Sequence, residues 1–215
     1  MNISRPFLTI TAAVIVLLSA LIPSYGCNQG SAKFVFQDDF KDPKSGWFVL
    51  KADDTKGGKY ADGSYQVWAT QKNTVVVLNP KTRQEIGDFN VEVTVKQTSD
   101  GKGTALGIIY RLDNNGQYYR FTIADDQSFW VGRNTGLLEE EIVEKQSSKF
   151  IKPVTDGNKL KVVCSGIKQE VYVNDQLLST VTDNTSVRGE MGMAFSNFGT
   201  PTANYTFSDF ILRAE

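Results

Sequence analysis

Strict alternation between apolar and polar residues is the feature of this sequence that most limits its fold. In Phe89–Lys96 every odd position is apolar and every even position is polar, which is the pattern of a half-buried antiparallel strand. No segment keeps a helical apolar period of about 3.6 residues over three turns, so long amphipathic helices are not expected. The alternation therefore predicts an all-β chain.

Other strands are predicted where short apolar or alternating segments are bounded by turn residues such as Asp-Gly and Asn-Asp pairs. The predicted segments are Trp47–Leu50, Ser64–Ala69, Thr74–Leu78, Thr104–Arg111, Tyr118–Ile123, Ser128–Arg133, Lys159–Ser165, Glu170–Val173, Gln176–Val181, Gly189–Ser196 and Tyr205–Leu212. Leu137–Gln146 could instead hold a short helix, and its run Glu139–Glu141 is more typical of a solvated loop than of a catalytic set. About a dozen short strands without an internal repeat indicate one two-sheet sandwich domain over residues 34–215.

Residues 1–26 have the pattern of a secretory signal peptide. Arg5 is the one charge in Met1–Pro6, the 16 residues of Phe7–Ile22 carry no charge, and Pro23–Gly26 follows. A basic start, an apolar core and a small residue before the cleavage site are typical of exported proteins. The apolar core is shorter than the roughly 20 residues that span a bilayer, which argues against a permanent transmembrane helix.

Cys27 stands where bacterial lipoproteins carry their lipid-modified cysteine. Ser24-Tyr25-Gly26-Cys27 resembles the lipobox of these proteins, although Ser24 replaces the commoner Leu or Val. We expect a lipid on Cys27, a short tether over residues 27–33, and anchoring at the outer side of the cytoplasmic membrane or at the outer membrane, with no other contact to the bilayer. The alternative is an ordinary cleavage site and a disulfide between Cys27 and Cys164.

The composition removes several classes of function. The chain has no histidine, which excludes Ser-His-Asp and Cys-His catalysis and histidine-ligated metals. Its two cysteines are too few for a four-cysteine metal site, and Cys164 is expected to be a small buried hydrophobe. The 23 basic and 24 acidic residues form no basic cluster, so nucleic acid is not an expected partner. Carboxylate chemistry, oxygen-ligated cations and binding remain.

Several fragments, in chain order, resemble the concanavalin A-like lectin/glucanase sandwiches of the 3-keto-disaccharide hydrolase-like and laminin-G-like families. They are Phe36–Phe40 with Gly46-Trp47, Gly107–Arg111, Tyr118–Phe121, Gly157–Leu160, Val173–Asp175, Gly189–Ala194 and Phe207–Phe210. The resemblance spans Phe34–Arg213 and implies a concanavalin A-like jelly-roll sandwich of two antiparallel sheets, with the first and last strands adjacent. Members of the superfamily bind glycans, cleave them or mediate adhesion, so the resemblance implies a fold more firmly than an activity.

Four side chains are candidates for contacts with a ligand. Alternation places Tyr118 and Arg120 on the outward face of one strand, and short turns bring the strands of Arg111 and Trp130 beside it. Aromatic rings stack on the apolar faces of sugars, and arginine donates several fixed hydrogen bonds to hydroxyls or carboxylates. These four are therefore the predicted glycan-binding residues. The alternative is that the rings pack under a loop while the arginines pair with surface acids.

The adjacent terminal strands implied by the resemblance would bring Asp38 and Asp39 near Asp209. Three carboxylates could hold a structural calcium ion, which takes about six to eight oxygen ligands. The alternative is that these side chains cap turns or accept hydrogen bonds from backbone N–H groups. Calcium is the one cofactor that the sequence suggests.

The sequence favours an exported, lipid-anchored protein that binds a glycan or another envelope component. One alternative is a glycoside hydrolase of the 3-keto-disaccharide hydrolase-like type, which needs two carboxyl groups about 5–10 Å apart. Glu92 is the clearest acid on the polar side of a strand, its partner is not evident, and the Glu-x-Asp-x-x-Glu signature of glucanases with this fold is absent. A further alternative is a module that recruits an envelope protein through an exposed apolar patch.

Overall fold

The computed structural model describes residues 34–47, 49, 55–82 and 85–214 as fourteen strands, one short 3₁₀ helix (Pro80–Thr82) and their connections. The strands are β1 (Phe34–Asp38), β2 (Lys56–Ala61), β3 (Ser64–Thr70), β4 (Asn73–Leu78), β5 (Phe89–Gln97), β6 (Thr104–Leu112), β7 (Tyr118–Ala124), β8 (Ser128–Asn134), β9 (Glu139–Ser147), β10 (Asn158–Ser165), β11 (Lys168–Val173), β12 (Gln176–Thr182), β13 (Glu190–Asn197) and β14 (Thr202–Ala214). The predicted signal peptide, Cys27 and the predicted tether lie outside the described residues. Within the described part of the chain, no helix has the length and apolar character needed to cross a membrane.

The strands form two antiparallel sheets. The eight-stranded sheet has the order β12-β11-β10-β5-β14-β3-β2, with β1 also paired to β14, and the six-stranded sheet has the order β4-β13-β6-β7-β8-β9. Asp38 of β1 lies opposite Phe210 of β14, so the first and last described strands are neighbours, as the resemblance implied. The predicted all-β sandwich of two antiparallel sheets is confirmed.

The core lies between the inward faces of the two sheets. Along β5 the apolar residues are buried and the polar residues between them are more exposed, which is the alternation read from the sequence. The eight-stranded sheet contributes Val91, Val93, Leu160, Val162 and Phe207, and the six-stranded sheet contributes Leu106, Ile108, Phe121, Val131 and Phe195. Cys164 is a free thiol in this core, and burial raises its pKa to about 12. It is therefore a buried hydrophobe, as predicted, and not a nucleophile at neutral pH.

Every strand predicted from Ser64–Ala69 onward is present to within a few residues. The short helix considered for Leu137–Gln146 is wrong, because Glu139–Ser147 form β9, which pairs with β8 and is an edge strand among the described residues. An edge strand tolerates charged side chains because one edge and much of its surface face water. The strand predicted at Trp47–Leu50 is wrong at Trp47 and Val49, which lie outside any strand, while Phe48 and Leu50 lie outside the described residues.

Candidate functional site

Arg120 lies on the outward face of the six-stranded sheet, on a strand flanked by β6 and β8. Alternation along β7 places Tyr119 and Phe121 in the core and therefore turns Arg120 away from it. On β8, Phe129 and Val131 are core residues, which places Trp130 on the same outward side. The structure thus brings together two of the four predicted ligand-binding residues.

The Arg120 guanidinium is held from two sides. Its Nη2 donates to Oε1 of Glu139 at 2.6 Å, and its Cζ lies 5.9 Å from the ring centroid of Trp130. Its Nη1 makes a long hydrogen bond of 3.4 Å to Oγ of Ser196. The side chain is 8% exposed, and its Nε has no hydrogen-bond partner in the described part of the chain. This Nε is itself buried from solvent, so it is an unpaired donor inside the protein and is not open to a ligand, whereas the guanidinium as a whole is fixed in place.

Gly132 is what lets Glu139 reach Arg120. Gly132 lies directly opposite Arg120 in the register of β7 and β8. A Cβ atom at Gly132 would stand 2.7 Å from Oε1 of Glu139, which is closer than two such atoms approach. The absence of a side chain at this position therefore leaves the path over which the Glu139 carboxylate crosses β8.

A cleft of about 360 Å³ opens beside this pair. We call it the charged cleft. Its lining includes Arg120, Asp125, Trp130, Glu139, Glu141, Lys145 and Phe198. Five of these side chains carry a charge, and the two aromatic ones offer apolar surface, of which Phe198 is 53% exposed. Concave sites that combine aromatic surface with a few polar groups are typical of small-molecule and sugar binding.

Lys145 of β9 contacts Trp130 from a second direction. Its Nζ lies 6.0 Å from the indole centroid and 2.7 Å from Oδ2 of Asp126. Burial raises the pKa of the Asp126 carboxyl, but hydrogen bonds from Lys145 and Ser128 outweigh burial and leave that pKa below its ordinary value. Lys145 is therefore fixed by an acid outside the charged cleft while its ammonium group remains beside the indole.

Sequence reasoning missed the contribution of β9 and of Phe198 to this site. Glu139, Glu141 and Lys145 all line the charged cleft, and all stand at odd positions of one strand. Alternation does not identify Lys145, because Val143 packs against the core and the register between β8 and β9 shifts twice. For Glu139 and Glu141 the signal is their spacing, because residues two apart on a strand point to the same side. The interpretation of Glu139–Glu141 as a solvated loop hid it.

Tyr118 stands at the beginning of β7, opposite Asn134 of β8. It is partly buried, and this burial raises the pKa of its hydroxyl, with Arg120 opposing and Glu139 reinforcing that shift. Its side chain is thus within electrostatic range of the pair but is not part of the lining of the charged cleft.

Arg111 does not lie on the face that alternation predicts for it. The register between β6 and β13 shifts between Glu190 and Gly192, and Arg111 has a φ of 55°. This bulge turns its side chain from the outward face and buries it completely. Nη1 donates to the carbonyl of Ser186 at 2.9 Å and Nη2 to that of Gly166 at 2.6 Å. The predicted approach of Arg111 to Arg120 and Trp130 is therefore wrong.

A polar network lies on the loop that also supplies the Ser186 carbonyl. The Tyr119 hydroxyl donates to Oδ1 of Asp183 at 2.8 Å, and Nη1 of Arg133 donates to Oδ2 at 2.8 Å. Burial raises the pKa of Asp183, but hydrogen bonds from Thr185 and Tyr119 and the Arg133 charge outweigh burial and lower it overall. These hydrogen bonds fix the β12–β13 loop, and the residues that make them do not line the charged cleft.

The three predicted calcium ligands do not form a cation site among the described residues. Asp38 is buried and already accepts hydrogen bonds from the backbone N–H of Phe40, from Nε1 of Trp47, both at 2.7 Å, and from the Ser45 hydroxyl. Hydrogen-bond donors around a carboxylate do not fit a metal ion. No group of three or more acidic or cysteine side chains is arranged to hold one within the described ranges.

The other two acids of that prediction are exposed. Lys41 is 2.7 Å from Oδ2 of Asp39 and lowers the pKa of that carboxyl. Asp209 lies in the bulge between Ser208 and Ile211, with a φ of 53°. Asp38 and Asp39 therefore follow the alternative considered for the sequence, in which these acids accept hydrogen bonds and shape turns. Glu92, the strand acid considered for catalysis, is on the eight-stranded sheet, does not line the charged cleft, and lies 3.3 Å from Nη1 of Arg213.

Comparison with known proteins identifies the fold. No family model matches the chain, and no curated protein matches it. Among solved structures it is similar to the carbohydrate-binding module CBM66 from Bacillus subtilis, with a TM-score of 0.64 and 15% identity over 79% of this chain and 96% of the module. It is also similar to a Bacillus licheniformis β-glucanase, with a TM-score of 0.61 and 13% identity over 87% of this chain and 99% of the enzyme.

A third similar structure is a protein of unknown function with a galectin-like fold from Bacillus subtilis, with a TM-score of 0.62 and 10% identity over 86% of this chain and 96% of that one. Identities this low carry the fold and not the function. The chain therefore has a jelly-roll fold of the concanavalin A and galectin kind.

Proposed function

We propose that this is an exported, lipid-anchored glycan-binding protein whose ligand occupies the charged cleft. The observation that carries the proposal is the charged cleft, in which the guanidinium of Arg120, fixed by Glu139 at 2.6 Å, lies beside the Trp130 ring. The fold is shared with a carbohydrate-binding module and a β-glucanase, which supports a sugar as the class of ligand.

The chemistry of the cleft divides between two kinds of contact. Trp130 and Phe198 offer ring surface on which the C–H face of a sugar stacks. Arg120 donates to sugar oxygens, and the carboxylates of Glu139 and Glu141 accept from sugar hydroxyls. A hydroxyl-rich ligand uses both donors and acceptors, whereas an apolar ligand would leave them unpaired at a cost in free energy.

A glycan-array screen of the full chain tests the proposal, followed by titration calorimetry with the oligosaccharides that bind. We expect Trp130→Ala to weaken binding by at least about tenfold, since a lost stacking contact is worth about 1 kcal/mol or more. Phe150→Ala is the matched control, because Phe150 is an exposed aromatic residue that does not line the cleft. A folded protein that binds no glycan would overturn the proposal and favour a protein-recruiting module. A Trp130→Ala variant with unchanged affinity for every glycan that binds would overturn the assignment of a ligand to the charged cleft.

Export and anchoring belong to the proposal and rest on the pattern of residues 1–27. We expect the protein to be found with membranes and to take up labelled fatty acid, and Cys27→Ser to abolish both. A Cys27→Ser variant that stays in the membrane fraction would argue against a lipid anchor.

A glycoside hydrolase is a second candidate, and one observation favours it. Glu139 and Glu141 line the same cleft as Trp130 and differ in their surroundings. Glu139 is paired with Arg120, while Glu141 accepts only a long 3.3 Å hydrogen bond from the backbone of Lys145 in the described structure. Sugar release from the bound glycans that Glu141→Gln abolishes, with binding retained, would favour hydrolysis.

A further inference from the structure

A second concave surface lies on the outward face of the eight-stranded sheet. Its volume is about 630 Å³, within the size range of ligand sites. We call it the Trp68 groove. Its lining includes Lys59, Gln66, Trp68, Thr98, Asn204 and Thr206. It is built from β2, β3 and β14, from Val49 and from the residue that follows β5, and it shares no residue with the charged cleft.

Gly57 gives Trp68 its position. The two residues are paired between β2 and β3, and alternation on β3 points Trp68 away from the core, because Val67 and Ala69 are core residues. A Cβ atom at Gly57 would overlap Nε1 of Trp68 and stand 2.8 Å from its Cε2. The indole therefore lies down across the glycine, close to the sheet, and forms part of the groove lining.

The polar groups of the groove are almost all uncharged. Lys59 is the one ionic side chain in its lining, compared with five in the charged cleft. Asn204 lies directly beside Trp68 in the register, and the backbone N–H of Thr98 donates to the Asn204 carbonyl at 2.8 Å. Within the described residues the side chains of Thr98, Asn204 and Thr206 make no hydrogen bond. Their donors and acceptors are thus unused by the fold.

We propose that the Trp68 groove is a second glycan site, specific for an uncharged sugar chain and independent of the charged cleft. The C–H face of a pyranose ring stacks on the indole, and the Asn204 amide and the threonine hydroxyls pair with ring hydroxyls, each of which both donates and accepts. An ionic ligand has few partners here. A neutral ligand gains no Coulomb attraction, so its affinity does not depend on salt.

The groove runs from β2 across β3 and β14 to the end of β5, which is about 14 Å of sheet surface. This length fits an oligosaccharide lying across the strands better than a single sugar. The two sites lie on opposite outward faces of the sandwich, so one molecule can hold two glycan chains at once. Two weak sites on one anchored protein raise its retention on a glycan network.

Titration calorimetry of the full chain tests this, with uncharged glucose, xylose and mannose oligosaccharides as probes, each at roughly 50 and 500 mM NaCl. We expect one probe series to bind with a salt-independent affinity that falls at least about tenfold in Trp68→Ala and changes less than about twofold in Trp130→Ala. Asn204→Ala changes an exposed side chain, should leave the fold intact, and should weaken binding by about threefold or more.

The inference is overturned if the folded protein binds none of the probes, or if Trp68→Ala and Asn204→Ala both bind as the parent chain does. A loss in Trp130→Ala alone would also overturn it and would assign the neutral sugar to the charged cleft.

Discussion

Two buried arginines on the neighbouring strands β6 and β7 lie in regions of opposite character. The Arg111 guanidinium is bonded to the backbone carbonyls of Gly166 and Ser186, on the turns between β10 and β11 and between β12 and β13. The Arg120 guanidinium lies beside a carboxylate and an indole at the edge of a cleft. The first arginine ties two connections to the sandwich, whereas the second lines the cleft in which we propose that a ligand binds. Burial of an arginine therefore does not identify a binding site until the partners of its donors are known.

Among substitutions in the two arginine regions, removal of the Arg111 guanidinium should have the largest effect, and this effect should be on the stability of the fold. Arg111→Ala leaves two carbonyls without their donors and a cavity in a region of full burial. We expect a loss of about 3 kcal/mol in the free energy of unfolding, measured by urea denaturation. Arg188→Ala is the control, because Arg188 is exposed, and should change stability by less than about 0.5 kcal/mol. Equal, small effects of both would show that Arg111 does not tie the loops down.

Replacing Arg120 with lysine should affect binding more than stability. Lysine keeps the charge but loses the planar group that lies over the Trp130 ring and donates to both Glu139 and Ser196. We expect Arg120→Lys to weaken glycan binding by about tenfold, measured by calorimetry, with a stability change of about 1 kcal/mol or less. The reciprocal variant sharpens the contrast, since Arg111→Lys should lose stability and keep its affinity. If Arg111→Lys binds as weakly as Arg120→Lys, the two regions do not have separate roles.

The Arg111 region should also show its structural role in a pH dependence. The folded-state pKa of Asp183 is lowered below its ordinary value of 3.8, so this carboxylate contributes stability above that value and loses the contribution as the pH falls through its folded pKa. We expect Asp183→Asn to lower the free energy of unfolding by about 1–2 kcal/mol at pH 7, because bonds to a charged group are replaced by weaker ones.

The difference between the parent chain and Asp183→Asn should stay constant down to about pH 4 and shrink below it, as read from urea denaturation at a series of pH values. A difference that grows as the pH falls would contradict the sign of this pKa shift. Glycan binding at pH 7 should be the same in both proteins.

Tyr118 should mark the boundary of the charged cleft with the smallest effect. It lies near Arg120 but does not line the cleft. We expect Tyr118→Phe, which removes only the hydroxyl, to change glycan affinity by less than about twofold in calorimetry. A larger loss would show that the ligand extends past Arg120 toward the beginning of β7.

The sequence predicts the fold far better than it predicts the site, and the arginines show why. Alternation identifies the strands because burial on one face is a property of each strand alone, and it correctly turns Arg120 and Trp130 outward. It fails at Arg111 because the bulge depends on how β6 and β13 pair, and that register is not visible in either strand. It also fails to place Glu139 beside Arg120, since this contact depends on the space above Gly132.

The three tryptophans provide the most direct test that the ligand occupies the charged cleft and not another part of the sandwich. The chain contains only Trp47, Trp68 and Trp130, and their indole N–H groups give three separate NMR signals. Trp47 is buried and bonded to Asp38, Trp68 lies in the groove on the other sheet, and Trp130 lines the charged cleft. The glycan for the titration is one that the array identifies and that the Arg120→Lys variant binds weakly. As this glycan is added to the parent chain, the Trp130 signal should shift progressively while the Trp47 signal stays in place. Saturable binding that leaves the Trp130 signal unmoved would contradict the account.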